Sequence, residues 1–143
     1  MIYVDTSAIV KLYFRETHSR KIASWLKKTD EAIPLTSLHE LEFENAICLK
    51  RFRGELNEQD ARQVVSKFSE HEARGVYFRP AVDWSAVFPL AKTLSNRYAP
   101  EIGARALDIL HVALALSAGA DRFITLDRRQ SSLAVAAGLD VRL

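Results

Sequence analysis

Two short apolar runs in this chain stop at a carboxylate followed by helix-starting residues, and this repeated arrangement constrains the fold more than any other feature. Ile2-Tyr3-Val4 runs into Asp5-Thr6-Ser7, and Arg122-Phe123-Ile124-Thr125-Leu126 runs into Asp127. Each is a β-prone segment handed directly to good helix N-cap residues. Between them, Ile22, Ala23, Trp25 and Leu26 sit at helical spacing within residues 17–28, and residues 32–36 form a second strand that Pro34 marks as an edge. Ser37 and Glu40 have the spacing of a capping box, opening a helix over about residues 38–52 that Gly54 ends. Asn57 opens a further helix to residue 74, residues 76–78 read as a third strand, and Asp83 caps a helix through Arg97. A helix over 107–117 ends at Gly119, one over 127–137 stops at Gly138, and residues 141–143 read as a last strand. Strands that alternate with helices predict the α/β class: a three-layer α/β/α sandwich around a central, mostly parallel sheet. In such sheets ligands sit beyond the carboxyl ends of the strands, which is where Asp5 and Asp127 fall.

With 143 residues, 48% of them hydrophobic and 27% charged, and no repeat, linker or low-complexity tract, the chain reads as one domain over residues 1–143. A domain of this mass buries roughly 68% of the surface its unfolded chain exposes, so it needs no staples. The lone Cys48 agrees, because one thiol makes neither an internal disulfide nor a zinc site, and a reducing cytoplasm is the expected location. The first ten residues lack the pattern of a signal peptide, and the longest mostly apolar stretch, residues 109–120, falls well short of the ~20 residues that span a bilayer. Twenty Lys and Arg against 18 acids leave a formal charge of +2, so nucleic-acid binding has to be argued from a site and not from bulk charge.

Most of the 18 acids have ordinary roles as caps, turns or solvated charges, among them Asp30, Asp60, Asp83, Asp121 and Asp140. Four stand out. At 100° per residue, the helix starting near Leu38 carries an apolar arc of Leu38, Leu41, Cys48, Leu49 and Phe52, with Asn45 inside it and Glu42 on its edge beside Leu49. Glu40 and Glu44 project to the opposite side, and Glu40 has the role of closing the capping box. Glu42 is open to two readings, a snorkelling or salt-bridged boundary residue or a functional carboxylate. Asp108 opens the nearly all-apolar helix LDILHVALAL, where it serves either the helix dipole and Arg105 or a site, and His111 shares its face. Asp5 and Asp127 are either plain N-caps or functional acids. Packed together without compensation, four such carboxylates would repel and be costly to desolvate. A divalent cation removes that cost, and Mg²⁺ and Mn²⁺ take oxygen ligands while activating a bound water.

Four segments in order, IYVDTSAIVKLY at the start, HELEFENA at 39–46, ALDILHVALAL at 106–116 and FITLDRRQ at 123–130, give the chain a family resemblance over essentially its whole length. It resembles a PIN domain, and most closely the VapC-type toxin ribonucleases of prokaryotic toxin–antitoxin pairs. The resemblance places the family's acids on Asp5, on Glu42 through the E-x-x-N-A pattern, on Asp108 and on Asp127, as catalytic groups and metal ligands. It places Thr6, Asn45, Thr125 and His111 in support around them. It implies endonucleolytic cleavage of RNA by water activated on Mg²⁺ or Mn²⁺. It also implies a homodimer, and a small cognate antitoxin whose tail enters the acidic groove, frequently with an Arg. The chain departs from the pattern in offering three acids, Glu40, Glu42 and Glu44, where the motif needs one.

RNA approaching an acidic pocket needs basic residues at its rim, for which Lys11, Arg15, Lys50, Arg51, Arg53, Arg128 and Arg129 are candidates, although scattered solubilising charge is the simpler reading of each. The aromatics form no recognisable stacking platform. A phosphoacceptor receiver module is disfavoured because Asp5 has no neighbouring acid and Asp127 is followed by Arg128. A haloacid-dehalogenase-like phosphatase is disfavoured because position 7 is Ser where that chemistry needs Asp. The remaining alternatives are a PIN-fold nuclease of RNA processing outside any toxin–antitoxin pair, and a non-catalytic PIN module that binds RNA or protein.

Overall fold

The computed structural model describes residues 1–14 and 17–142; Arg15, named above as a rim candidate, and Leu143, placed above in the last strand, lie outside them. The elements in order are β1 (Ile2–Val4), α1 (Thr6–Tyr13), α2 (Ser19–Thr29), β2 (Ile33–Pro34), α3 (Ser37–Phe52) and α4 (Glu58–Ala73). They continue as β3 (Tyr77–Phe78), α5 (Trp84–Ile102), α6 (Ala106–Ser117), β4 (Arg122–Ile124), α7 (Arg128–Ala136) and β5 (Asp140–Val141). The fold is α/β and every strand pairing among the described residues is parallel, as the alternation predicts. Among the described residues the strands form two hydrogen-bonded sheets, β1-β4-β5 and β2-β3. They fall in separate compact units, Met1–Asp5 with Pro80–Leu143, and Thr6–Arg79. No helix is long and apolar enough to cross a membrane, among the described residues.

In the first unit β1 lies beside β4 with Val4 opposite Ile124, and the Asp5 backbone N–H continues the ladder by donating to the Ile124 carbonyl at 2.8 Å. Ile2, Tyr3, Val4, Phe123 and Ile124 are all fully buried, the pattern of strands covered on both faces. Residues 109–115 of α6 are buried without interruption, as its all-round apolar sequence requires. The Tyr3 ring stacks on Phe123 and meets His111 edge-on. Helix α5 runs one turn past its expected end at Arg97, through Pro100, to Gly103 in the left-handed region at φ 69°. Pro100 removes a single helical hydrogen bond in the last turn. That end is held independently, by buried Leu94 and by the Tyr98 hydroxyl, which donates to the Ala136 carbonyl at 2.9 Å.

In the second unit Ile33 and Leu35 donate to Val76 and Phe78 carbonyls while Pro34, which has no N–H, occupies the intervening non-donating position. Its core is aromatic: Phe43 stacks on Phe68 with centroids 4.2 Å apart, Phe68 stacks on Tyr77, and Tyr13 packs against Phe43 and Phe68. Two sequence expectations for α3 are corrected here. The capping box is closed one residue earlier, by Thr36 and His39, whose Nδ1 accepts the Thr36 backbone N–H at 3.1 Å and meets the Thr36 hydroxyl at 2.8 Å. Glu40 is thereby released to pair with Arg79 at 2.7 Å, and the guanidinium holds its carboxyl below the usual range. The buried face is Leu38, His39, Phe43 and Ile47, so most of the expected arc faces outward, with Leu41 66%, Leu49 41% and Phe52 88% exposed and Cys48 exposed as well. The helix carries two apolar stripes, and the aromatic partners on α1 and α4 select the one with Phe43.

The Tyr13 hydroxyl lies 2.8 Å from His71 Nδ1 and 2.9 Å from the Tyr77 hydroxyl. Burial, reinforced by Lys67 and Arg74 and opposed by Glu70, lowers the His71 pKa below its ordinary 6.5. The unfolded chain therefore takes up the proton first, so this contribution to stability is complete above about pH 6.5 and is lost as pH falls through the folded value. The urea midpoint of the wild type should fall more steeply between about pH 7.5 and 5 than that of His71→Gln. Parallel slopes would show that the His71 contact contributes nothing.

Candidate active site

The first unit gathers its sequence-predicted residues where β1 and β4 end side by side. Asp5 is only 6% exposed, immediately past β1. Its Oδ1 accepts a hydrogen bond from Gln130 Nε2 at 3.2 Å and stands 3.6 Å from His111 Nε2. His111 is buried on α6 and its Nδ1 lies 2.9 Å from the Tyr3 hydroxyl, so that ring nitrogen is committed to β1. Thr125, just past β4, is buried; its Oγ1 accepts the Asp127 N–H at 3.0 Å and donates to Gln130 Oε1. Asp127 Oδ1 accepts the backbone N–H groups of Arg129 and Gln130 at 2.8 and 2.9 Å, making Asp127 the N-cap of α7. A continuous chain of contacts thus runs from Tyr3 through His111 to Asp5, and on through Gln130 and Thr125 to Asp127.

Asp108 lies three residues before His111 in the first turn of α6, and its Oδ2 accepts from the Arg105 backbone N–H and Nε, each at 3.2 Å. The structural roles that the sequence leaves open for Asp108 and Asp127 are therefore occupied. Neither excludes chemistry, since a capping carboxylate keeps acceptor capacity beyond the bonds it makes to the backbone. Glu42 is half-buried on α3, Asn45 is exposed on the same helix, and buried Thr6 opens α1; all three belong to the second unit. The angular argument that singled out Glu42 used the face of α3 that turns outward, so the E-x-x-N-A pattern alone now supports it.

Gln130 escaped the sequence reading. The signal was present: Gln130, Leu133 and Ala134 repeat at i, i+3 and i+4, the buried stripe of α7, and a glutamine in such a stripe must have its amide satisfied.

Among the described residues, no three His, Cys, Asp or Glu side chains form a cluster that could hold a metal ion. The donor chemistry nevertheless fits one: carboxylate oxygens are the hard ligands that Mg²⁺ and Mn²⁺ take, and Mg²⁺ keeps several waters and needs only one or two carboxylates.

The PIN domain family model matches residues 2–136. The chain belongs to the PIN domain family. Among solved structures, FitAcB from Neisseria gonorrhoeae is similar at TM-score 0.73 and 18% identity, covering 100% of this chain and 97% of its own. VapC20 of Mycobacterium tuberculosis, a Sarcin-Ricin loop cleaving toxin, is similar at TM-score 0.71 and 15% identity over 100% of both chains. VapBC2 from Rickettsia felis, bound to a DNA fragment from their promoter, is similar at TM-score 0.66 and 16% identity over 99% of this chain and 98% of its own. No protein of curated function matches the sequence. At these identities the likeness is one of fold.

In this PIN domain the cap and the charge of Asp127 can be separated. Asp127→Ala should lower stability by about 1 kcal/mol, while Asp127→Asn, an equally good cap, should change it by only a few tenths. Urea unfolding of both variants checks this, and equal losses would show that the charge rather than the cap carries the effect.

Proposed function

We propose that this PIN domain, acting as one domain over residues 1–143, is a Mg²⁺- or Mn²⁺-dependent endoribonuclease, the cytoplasmic toxin of a toxin–antitoxin pair. The observation that carries the reading is a carboxylate, Asp5, buried at the carboxyl ends of two parallel strands and linked, through the Gln130 amide and the Thr125 hydroxyl, to the backbone N–H of a second acid, Asp127. Burying a charge is costly unless it is paired and hydrogen-bonded, and carboxylates held in this way cluster at functional sites.

Asp5, Asp108 and Asp127 are the residues of the first unit that would hold the ion, and the family pattern adds Glu42. The cation, when bound, supplies a water of lowered pKa and neutralises phosphate charge. The protein's own contribution is positional. Gln130 and His111 flank the Asp5 carboxylate, Thr125 couples it to the β4–α7 turn, and the buried strand ends limit access of bulk water. Exposed Arg128 and Arg129 open α7 next to Asp127, where they can meet RNA phosphates. His111, with Nδ1 turned to Tyr3, supports Asp5 from behind.

Support for a small antitoxin partner comes from the similar structures whose names pair two components, and an arginine from such a partner would complement the carboxylates. Support for a homodimer comes from the outward stripe of Leu41, Leu49 and Phe52 on α3, since exposed apolar patches of this kind mark interfaces. Phe52→Ser should shift the protein from dimer to monomer in sedimentation at micromolar concentration; an unchanged dimer would place the interface elsewhere.

Purified protein should cleave a panel of structured and single-stranded RNAs with Mn²⁺ or Mg²⁺ and not with chelator. Asp5→Asn and Asp108→Asn should each lose on the order of 10²-fold or more in rate. If cleavage is absent, or indifferent to chelator and to both substitutions, the nuclease reading fails in favour of a PIN module that only binds.

A further inference from the structure

We propose that Gln130 is a positioning residue for the Asp5 carboxylate: its side-chain amide sets the direction in which Asp5 presents its oxygens to a divalent cation. The inference rests on the nuclease reading above and extends it to a residue outside the four acids and their expected supports. Gln130 is 1% exposed, and both ends of its amide are bonded, Oε1 to the Thr125 hydroxyl and Nε2 to Asp5 Oδ1 at 3.2 Å.

The polarity of this chain is determined by its far end. The Asp127 backbone N–H can only donate, and it donates to Thr125 Oγ1 at 3.0 Å. The Thr125 hydroxyl proton then points to an acceptor, which is Gln130 Oε1, and this leaves the amide NH₂ facing Asp5. A carboxylate would place an acceptor against Asp5, and an alkyl chain would place nothing there, so at this length an amide serves both neighbours. The same residue gives its backbone N–H to Asp127 Oδ1, so one residue of α7 contacts both carboxylates, one through its backbone and the other through its side chain.

The torsion that turns a carboxylate plane is soft, with broad minima. Without the Gln130 donor, the carboxylate is free to rotate toward His111 Nε2, which stands 3.6 Å from Asp5 Oδ1. A residue that only filled space would leave this choice of partner unaffected when replaced by an isosteric apolar side chain. A positioning residue would not, and groups that orient metal ligands typically change metal affinity by about 10- to 100-fold when removed.

The test is Mn²⁺ binding by isothermal titration calorimetry near pH 7 on full-length wild type, Gln130→Met, Thr125→Val and Asp5→Asn, with thermal melts in chelator to confirm that each is folded. Gln130→Met, similar in length and volume, should weaken Mn²⁺ binding about 10- to 100-fold. Thr125→Val, which removes the hydroxyl that holds Gln130 Oε1, should weaken it in the same direction by a smaller factor, and it carries the test if Gln130→Met does not fold. Wild-type Mn²⁺ affinity in folded Gln130→Met, or in Thr125→Val should that variant carry the test, alongside loss of binding in Asp5→Asn, would overturn the proposal and leave the nuclease reading intact. If wild type and Asp5→Asn bind Mn²⁺ alike, the metal-site reading itself falls, and the role of Gln130 falls with it.

Discussion

A carboxylate that has left water must be met by donors, and the first unit is organised around meeting that requirement at Asp5. Its backbone completes the β1–β4 ladder through Ile124, so the side chain emerges where the two parallel strands end together. Moving an ionised carboxylate into such a position without partners would cost far more than a single hydrogen bond returns. Gln130 of α7 donates to it and His111 of α6 stands beside it, and each of these is held in turn, Gln130 by Thr125 after β4 and His111 by Tyr3 of β1. Several features that otherwise look incidental follow from this, including a histidine inside the most apolar helix of the chain and a glutamine inside the buried stripe of α7.

The second unit solves a different problem. It has a two-stranded ladder, too small to bury much by itself, and its stability comes from packed rings on α1, α3, α4 and β3. Two of those rings carry hydroxyls, which must be satisfied inside the cluster, and His71 and the Tyr13–Tyr77 contact do this. Commitment of Phe43 to that cluster determines the rotation of α3, and with it the outward turn of Leu41, Leu49 and Phe52. The exposed apolar stripe is thus a consequence of how the interior packs.

What was legible in the sequence was local. β1, β4 and the N-caps Asn57, Asp83 and Asp127 follow from short-range chemistry, and each stands where the residues place it. The neighbourhood of Asp5 and Asp127 was legible too, because parallel α/β sheets gather ligands at strand ends. The rotation of α3 was not, since the helix offers two apolar stripes and only distant aromatic partners decide between them. The capping box shifted by one residue for a similar reason: His39 is buried by the same rotation and supplies the bond expected of Glu40. Gln130 was visible as a polar residue in a buried stripe, but its partner is 125 positions away, and periodicity carries no information about that distance.

The central claim is that Asp5 serves a divalent cation. Crystals soaked in Mn²⁺ and measured at the manganese absorption edge test it most directly, because an anomalous peak locates the ion without reference to activity. The account predicts a peak within coordination distance of an Asp5 carboxylate oxygen, roughly 2.0–2.2 Å, with water completing the shell. A map with no peak at Asp5, in crystals where Mn²⁺ is bound elsewhere or nowhere, would contradict it.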